Sequence, residues 1–247
     1  MPEDTRLDSI PTGLTCEGVH RAIVEYLLTE NQNMTGVNML DIPCGNGELI
    51  SSLRRFFPAA NVRGCDLEKP AMLTTDDFAF VDASRTFVVF PDRKFDYVFS
   101  VSGVMEFDNT LQFFENCYHH LREGGQFIVT NDNLVTIRDR LSYFWLGKAR
   151  QFQLFVNQGQ ETWKLIPIHN LIRILRDAGF TIRKLDYVSV RPKDWLLLPL
   201  ALLIYPIQAV YIRLTRNSMT LAEKYSMYPF RSLLYRHYII VCDKLPA

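Results

Sequence analysis

Apolar positions along the chain switch between two periods, and the switches mark out helices and strands in turn. Cys16, Val19, Ile23, Tyr26 and Leu27 recur at helical spacing and predict an N-terminal helix ending near Leu28. Val37 to Ile42 is a short apolar run that breaks into a glycine-bearing turn, the pattern of a buried strand. Leu49 to Phe57 follows as a helix stopped by Pro58. Asn61–Asp66, Phe78–Asp82 and Phe95–Val101 predict three further short strands. Leu111, Phe114, Cys117, Tyr118 and Leu121 line one face of a helix, and the Arg122-Glu-Gly-Gly turn leads into a fifth strand, Gln126–Thr130. Leu171, Ile172, Leu175 and Ala178 predict a helix capped by Gly179. Thr181–Val190 and Tyr238–Cys242 complete a set of seven strands.

Strands alternating with helices predict an α/β fold, a doubly wound, mostly parallel sheet of the Rossmann-like kind. Ligands of such sheets sit beyond the carboxyl ends of the strands at the switch point. No ordinary crossover helix separates the last two strands, which predicts an antiparallel last strand at the sheet edge. The 247 residues suffice for a single domain over 1–247 with its own core, residues 191–236 being an insertion between strands six and seven.

That insertion stands apart in composition. Lys and Arg together number 27, as do Asp and Glu, so the chain is neutral and its overall charge predicts no nucleic-acid partner. Yet 191–236 alone carries +5, which predicts an anionic partner. Within it, Trp195 to Ile212 is an uncharged run of 18 residues, near the length that crosses a bilayer. Pro199 and Pro206 would interrupt a straight helix, and strands of one sheet lie on both sides. The expectation is therefore an interfacial hairpin or helix pair. Trp195, Tyr205 and Tyr211 would lie at headgroup level, and Arg213 and Arg216 would meet anionic lipid. A lid over an apolar acceptor pocket and a dimer interface are the alternatives. The five cysteines are scattered without a C-x-x-C pair, which predicts no disulfide framework, no metal site and a reducing cytoplasmic compartment. The opening MPEDTRLDSIP lacks the pattern of a secretory signal. The expected location is the cytoplasm, peripheral on the inner face of a membrane.

The candidate chemistry lies in Leu40-Asp-Ile-Pro-Cys-Gly-Asn-Gly-Glu-Leu49, a strand, a tight turn and a helix start. Gly45 and Gly47 let backbone approach a ligand that a Cβ would exclude. Asp66 follows Gly47 by 19 residues, the distance at which a carboxylate ending the second strand accepts from ribose hydroxyls. A nicotinamide site wants a third glycine where Ile50 stands, and Asp41 would repel a pyrophosphate. A carboxylate there suits a ligand bearing an ammonium and a sulfonium.

These residues resemble motif I of the class I S-adenosylmethionine-dependent methyltransferases (type 11/23), with Pro43 in place of the first glycine. Gly64-Cys-Asp66, Val81-Asp-Ala83, Phe95 to Glu106 and Leu121-Arg-Glu-Gly-Gly are similar to the later motifs of that family, and the match spans about 37–130. The resemblance implies S-adenosylmethionine as cofactor and S-adenosylhomocysteine as product. It implies that Asp41, Pro43, Cys44, Gly45 and Gly47 surround the methionine part. Asp66 would take the ribose, Leu67, Asp82 and Ala83 the adenine, and Ser100 the methionine side. A catalytic base is sought in His20, His169 and Asn131. Core packing for His20, a helix-start role for His169 and loop capping for Asn131 are the structural alternatives. The expected activity is O-methylation of a small or lipid-linked acceptor at a membrane surface. A soluble natural-product or quinone-type methyltransferase with a lid is one rival. The other is a non-catalytic membrane-associated subunit, against which the intact Gly45, Gly47 and Asp66 argue.

Overall fold

A computed structural model describes residues 7–30, 34–155 and 164–246 of the chain. The strands are β1 (Asn38–Asp41), β2 (Asn61–Asp66), β3 (Phe78–Phe80), β4 (Phe95–Val101), β5 (Leu121–Asp132), β6 (Thr181–Val188) and β7 (His237–Asp243). They form one sheet in the order β3-β2-β1-β4-β5-β7-β6. Pairing is parallel from β3 to β5, and β7 runs antiparallel to both β5 and β6. The mostly parallel sheet and the antiparallel last strand agree with the architecture read from the sequence, but β7 is inserted between β5 and β6, so the edge strand is β6. The helices are α1 (Val19–Glu30), α2 (Glu48–Phe56), α3 (Thr110–His120), α4 (Ile137–Leu146), α5 (Ile168–Asp177), α6 (Leu198–Leu214) and α7 (Leu221–Met227).

Each face of the sheet has its own core, because successive side chains of a strand point to opposite faces. On one face Leu40, Val98, Phe127, Val129 and Ile240 pack with Phe113, Phe114 and Cys117 of α3 and Leu171, Ile172 and Leu175 of α5. On the other Met39, Phe99, Ile128, Ile239 and Val241 pack with Ile23 and Leu27 of α1 and Leu49 and Leu53 of α2. The cysteines are all free thiols.

Element ends differ from the sequence reading in ways that have causes. α1 starts at Val19, not Cys16, because Gly18 takes a left-handed φ of 84° just before it. β5 runs back to Leu121, since Gly124 and Gly125 bond the Lys244 backbone and extend the ladder. α4 has no counterpart in the hydrophobic pattern, because Leu141, Tyr143, Phe144, Trp145 and Leu146 face solvent rather than the core.

The insertion corrects a larger expectation. The apolar run Trp195–Ile212 forms neither a hairpin nor a pair of helices broken at the prolines, and the insertion's second helix, α7, comes only after it. A short 3-10 segment, Pro192–Leu197, continues into α6 as one helix. Pro199 occupies its first turn, where the missing N–H has no partner to lose, and Pro206 is accommodated in the interior. α6 touches the body along a narrow line, Ala201 packing with Ile137, Leu233 and Leu234. Pro192–Leu214 is, among the described residues, the one segment long and apolar enough to cross a membrane, and only 11% of its apolar window is buried.

Candidate active site

A cavity of about 420 Å³ opens at the carboxyl ends of β1, β2 and β4. Its floor is the turn that follows Asp41. Gly45 and Gly47 hold φ of 51° and 83°, and Gly47 is the N-cap residue of α2. A Cβ on Gly47 would lie 2.8 Å from Met72 Sδ, the end of a flexible and exposed side chain that can give way, so it is the left-handed conformation that demands glycine. Asp66 joins two loops: Oδ2 accepts from Gly45 N–H and Oδ1 from Leu67 N–H, both at 2.7 Å. The roof comes from the chain before α1, through Leu14 and Thr15, and from His20; Val101, Ser102, Gly103 and Glu106 close the side.

Asp41 sets the electrostatics. It is 2% exposed, and its Oδ1 has no hydrogen-bond partner among the described residues. Burial first, then the charges of Asp66 and Glu48, push its carboxyl well above the ordinary carboxylate range. Five acidic residues, Asp41, Glu48, Asp66, Glu68 and Glu106, thus line a cavity in which no Lys or Arg among the described residues takes part. An orphaned buried carboxyl beside two further carboxylates fits a cationic ligand, whose charge would bring Asp41 back to its ionised form. Burial and the neighbouring carboxylates also raise the Cys44 thiol, which makes it a poor nucleophile.

The residues singled out in the sequence divide into two groups. Asp41, Pro43, Cys44, Gly45, Asp66, Leu67 and His20 share the cavity wall, and Gly47 lies directly behind it. Ser100 does not reach the wall: it is fully buried within the sheet, its hydroxyl without a partner, and Ser102 lines the cavity instead. Asp82 turns onto its own loop, accepting from Ser84 N–H and Ser84 Oγ at 3.0 and 2.5 Å and pairing with Arg85. Ala83 is buried in the core, and neither residue lines the cavity.

Of the three candidate bases, His20 alone lines this cavity. Its Nδ1 donates to the Pro11 carbonyl at 2.9 Å, leaving Nε2 with the lone pair, and burial lowers its pKa. His169 lies on α5, 3.4 Å from the Tyr228 hydroxyl, in the wall of a second cavity of about 720 Å³ between α6 and α7. Asn131 is 1% exposed and points into the core, donating to the Ile166 carbonyl and the Tyr238 hydroxyl at 3.2 and 3.1 Å.

Sequence reasoning passed over a polar group at the cavity's edge. Thr15 Oγ1 lies 2.7 Å from Ser102 Oγ, which lies 3.3 Å from His237 Nε2. His237 Nδ1 in turn lies 3.3 Å from Asp132 Oδ1, and Gln151 donates to the other Asp132 oxygen. Cys16 Sγ is 4.0 Å from the same Oδ1. Burial disfavours charge on His237, but its hydrogen bonds to Asp132 and Cys16 outweigh this and raise its pKa. Burial likewise pushes Asp132 up, and His237, Gln151 and Arg150 together bring it below its ordinary value. No local spacing signals this group, because its members come from five separated segments.

Comparison with known proteins agrees with the fold. Residues 40–129 match the profile of a methyltransferase domain family. Phosphoethanolamine N-methyltransferase 2 of Haemonchus contortus, solved with S-adenosyl-L-methionine, is 17% identical with a TM-score of 0.56; the alignment covers 98% of this chain and 56% of that one. An S-adenosylmethionine-dependent methyltransferase from Archaeoglobus fulgidus is 13% identical over 91% of this chain and 94% of its own, with a TM-score of 0.56. A complex of the Haloferax volcanii Trm112 methyltransferase activator with a methyltransferase matches at 16% identity and a TM-score of 0.53, over 98% of this chain and 95% of that one. No curated protein matches the chain in sequence.

Proposed function

We propose that this chain, which carries a class I S-adenosylmethionine-dependent methyltransferase domain, binds its cofactor in the cavity at the ends of β1, β2 and β4 and methylates a hydroxyl of a small or lipid-linked acceptor at a membrane surface. The observation that carries the cofactor assignment is the orphaned, buried Asp41 carboxyl beside Asp66 and Glu48. Asp41 would meet the ammonium of the methionine part. Asp66, whose oxygens already accept from two backbone N–H groups, has lone pairs left for ribose hydroxyls. Leu67, 68% exposed, would cover the adenine. Bound, S-adenosylmethionine supplies a methyl carbon whose bond to sulfur breaks to leave a neutral thioether. The chain's part is to hold an acceptor oxygen in line with that carbon, exclude water and receive a proton.

The membrane part rests on α6 and α4. Leu196, Leu202, Leu203, Ile207, Val210 and Tyr211 are exposed along α6 and the segment before it. Leu141, Tyr143, Phe144 and Trp145 are exposed on α4, which joins α6 through the Arg140–Gln208 hydrogen bond. Arg213 and Arg216, at the end of α6, pair with no carboxylate among the described residues. An apolar surface of this kind, edged by cations, suits the cytoplasmic face of an anionic bilayer. The second cavity beneath α6 favours one other reading, a soluble enzyme in which α6 covers an apolar acceptor.

Two measurements test this. Calorimetric titration with S-adenosylmethionine and S-adenosylhomocysteine should show binding that Asp66→Ala loses; folded wild-type protein that binds neither would overturn the enzyme reading. Co-sedimentation with vesicles of anionic phospholipid should capture the protein, and Leu203→Asp with Ile207→Asp should release it. Protein that stays in the supernatant throughout would refute the membrane part and favour the lid.

A further inference from the structure

We propose that Ser102, His237 and Asp132 form a proton relay that ends in the cavity wall and removes the proton from a hydroxyl acceptor as it is methylated, the Thr15 hydroxyl holding the acceptor's place on Ser102 until it binds. This rests on the methyltransferase reading and adds to it the route by which the acceptor hydroxyl loses its proton. Ser102 and Thr15 line the cavity, whereas His237 and Asp132 are buried behind them, 1% and 5% exposed.

The direction of the chain of hydrogen bonds follows from its inner end. An ionised Asp132 only accepts, so His237 must donate from Nδ1, at 3.3 Å. Nε2 then carries the lone pair and faces Ser102 Oγ at 3.3 Å, which fixes the Ser102 proton on the histidine side. The remaining lone pairs of Ser102 Oγ are left for a donor from the cavity: the Thr15 hydroxyl at 2.7 Å or, in its place, an acceptor.

The backbone holds this arrangement in place. Asp132 and His237 are directly opposed on the antiparallel pair β5–β7. Ser102 takes a left-handed φ of 59°, uncommon for a residue with a Cβ, and its N–H is tied to Thr130 Oγ1 at 3.1 Å. A strained residue persists where its surroundings dictate it, and such positions cluster at active sites.

The charged and titratable groups around His237 are Asp132 from β5 and Cys16 from the segment before α1; Arg150 and Gln151 act on it through Asp132. Their balance makes His237 a stronger base than a free imidazole, whereas His20, the other histidine at the wall, is a weaker one.

In the step, the acceptor's O–H proton passes to Ser102 Oγ while the Ser102 proton moves to His237 Nε2. The oxygen's electron pair forms the bond to the methyl carbon, and the electron pair of the C–S bond stays with sulfur. The imidazolium rests beside the Asp132 carboxylate until water takes its proton. An amine needs no such relay once it is neutral, and a carboxylate acceptor has no proton to lose. The relay therefore points to an alcohol or phenol.

The test is nitrogen-detected NMR titration of His237 in the full chain, with calorimetry of S-adenosylhomocysteine binding on the same samples. Wild type should show the Nδ1–H tautomer and a midpoint above 6.5, the ordinary histidine value. Asp132→Asn should bring the midpoint below it. Ser102→Ala should leave the tautomer unchanged, because the Asp132 carboxylate alone holds the proton on Nδ1. An Nε2–H tautomer in wild type, or a midpoint at or below 6.5, would overturn the relay whether or not the variants fold. So would stoichiometric zinc in the purified protein, or labelling of Ser102 by a fluorophosphonate, which would make it a nucleophile. Loss of S-adenosylhomocysteine binding by wild type fails the cofactor reading separately, since the NMR result does not depend on ligand.

Discussion

Asp194 pins the apolar insertion to the body of the protein, and its removal should be the most destabilising single change in that region. The side chain is 2% exposed. It accepts from Arg236 Nε and Nη2 at 2.5 and 2.9 Å, from Arg138 Nε at 2.8 Å and from Arg191 N–H at 3.3 Å. It thereby ties the start of the insertion to α4 and to the residue that precedes β7. Burial pushes its carboxyl up, but the hydrogen bonds of Arg236 and Arg138 more than offset this and leave it at about 2. Asp194→Ala deprives Arg236, itself only 6% exposed, of its hydrogen-bonded counter-charge. Removing one partner of a buried pair costs about 3–5 kcal/mol. A chain of this size loses about 2–4 °C in Tm per kcal/mol, so the fall should be roughly 6–20 °C. Because the folded pKa lies below the ordinary 3.8, the pair's contribution is full above that value and is lost as pH falls from there through about 2. Urea unfolding followed by circular dichroism at neutral pH, and then across that acid window, measures both effects. An Asp194→Ala variant within about 1 kcal/mol of wild type would refute the reasoning, because exposed pairs are worth that little. So would an Asp194→Asn variant that keeps the full acid dependence.

Two substitutions and one labelling experiment probe the cavity and its surroundings. Asp66→Ala removes the carboxylate proposed to accept from the ribose hydroxyls and also orphans Gly45 N–H and Leu67 N–H; a hydrogen bond to a charged group is worth about 1.5–3 kcal/mol, so loss of the ribose contact should weaken S-adenosylhomocysteine binding at least about tenfold by calorimetry. Gly103→Ala places a Cβ 2.6 Å from Pro43 Cδ and Cγ, and overpacking of this kind costs about 1–3 kcal/mol, read as a lowered Tm. Iodoacetamide under native conditions should modify Cys16, the one half-exposed thiol, well before Cys44 or Cys65, the latter raised by burial to about 12; mass spectrometry of a time course distinguishes them, and early loss of Cys65 would contradict its burial.

The cofactor half of the site is legible in the sequence because it is local. One strand, one turn and one helix start carry Asp41, Gly45 and Gly47 in consecutive order, and Asp66 ends the neighbouring strand, which pairs with β1 from Asn38 opposite Asn61 to Asp41 opposite Gly64. Apolar periodicity places the other sheet strands for the same reason, each being a short buried run. The insertion shows where that logic stops. Two prolines argue locally for breaks, yet the first falls in a helix turn that needs no N–H, and the pattern cannot reveal that a long apolar helix remains outside the core.

The acceptor half depends on the register of antiparallel strands, which a single chain read residue by residue does not display. Asn131 and Asp132 are adjacent at the end of β5 and both lie at the functional edge of the sheet, so spacing gives no reason to prefer either. Strand alternation separates them completely. Asn131 opposes Tyr238 and faces the core shared with Ile166, where its amide is consumed. Asp132 opposes His237 and faces the other side, toward Cys16 and Ser102. A shift of one residue in register would exchange the two roles, because it turns every side chain of the strand to the opposite face. The β5–β7 register is held over seven successive pairs, from Gln126 opposite Asp243 to Asp132 opposite His237. The buried apolar residues between those ends therefore position His237 as firmly as any contact it makes itself, and packing of Ile239 and Val241 is as much a condition of the relay as the Asp132 carboxylate.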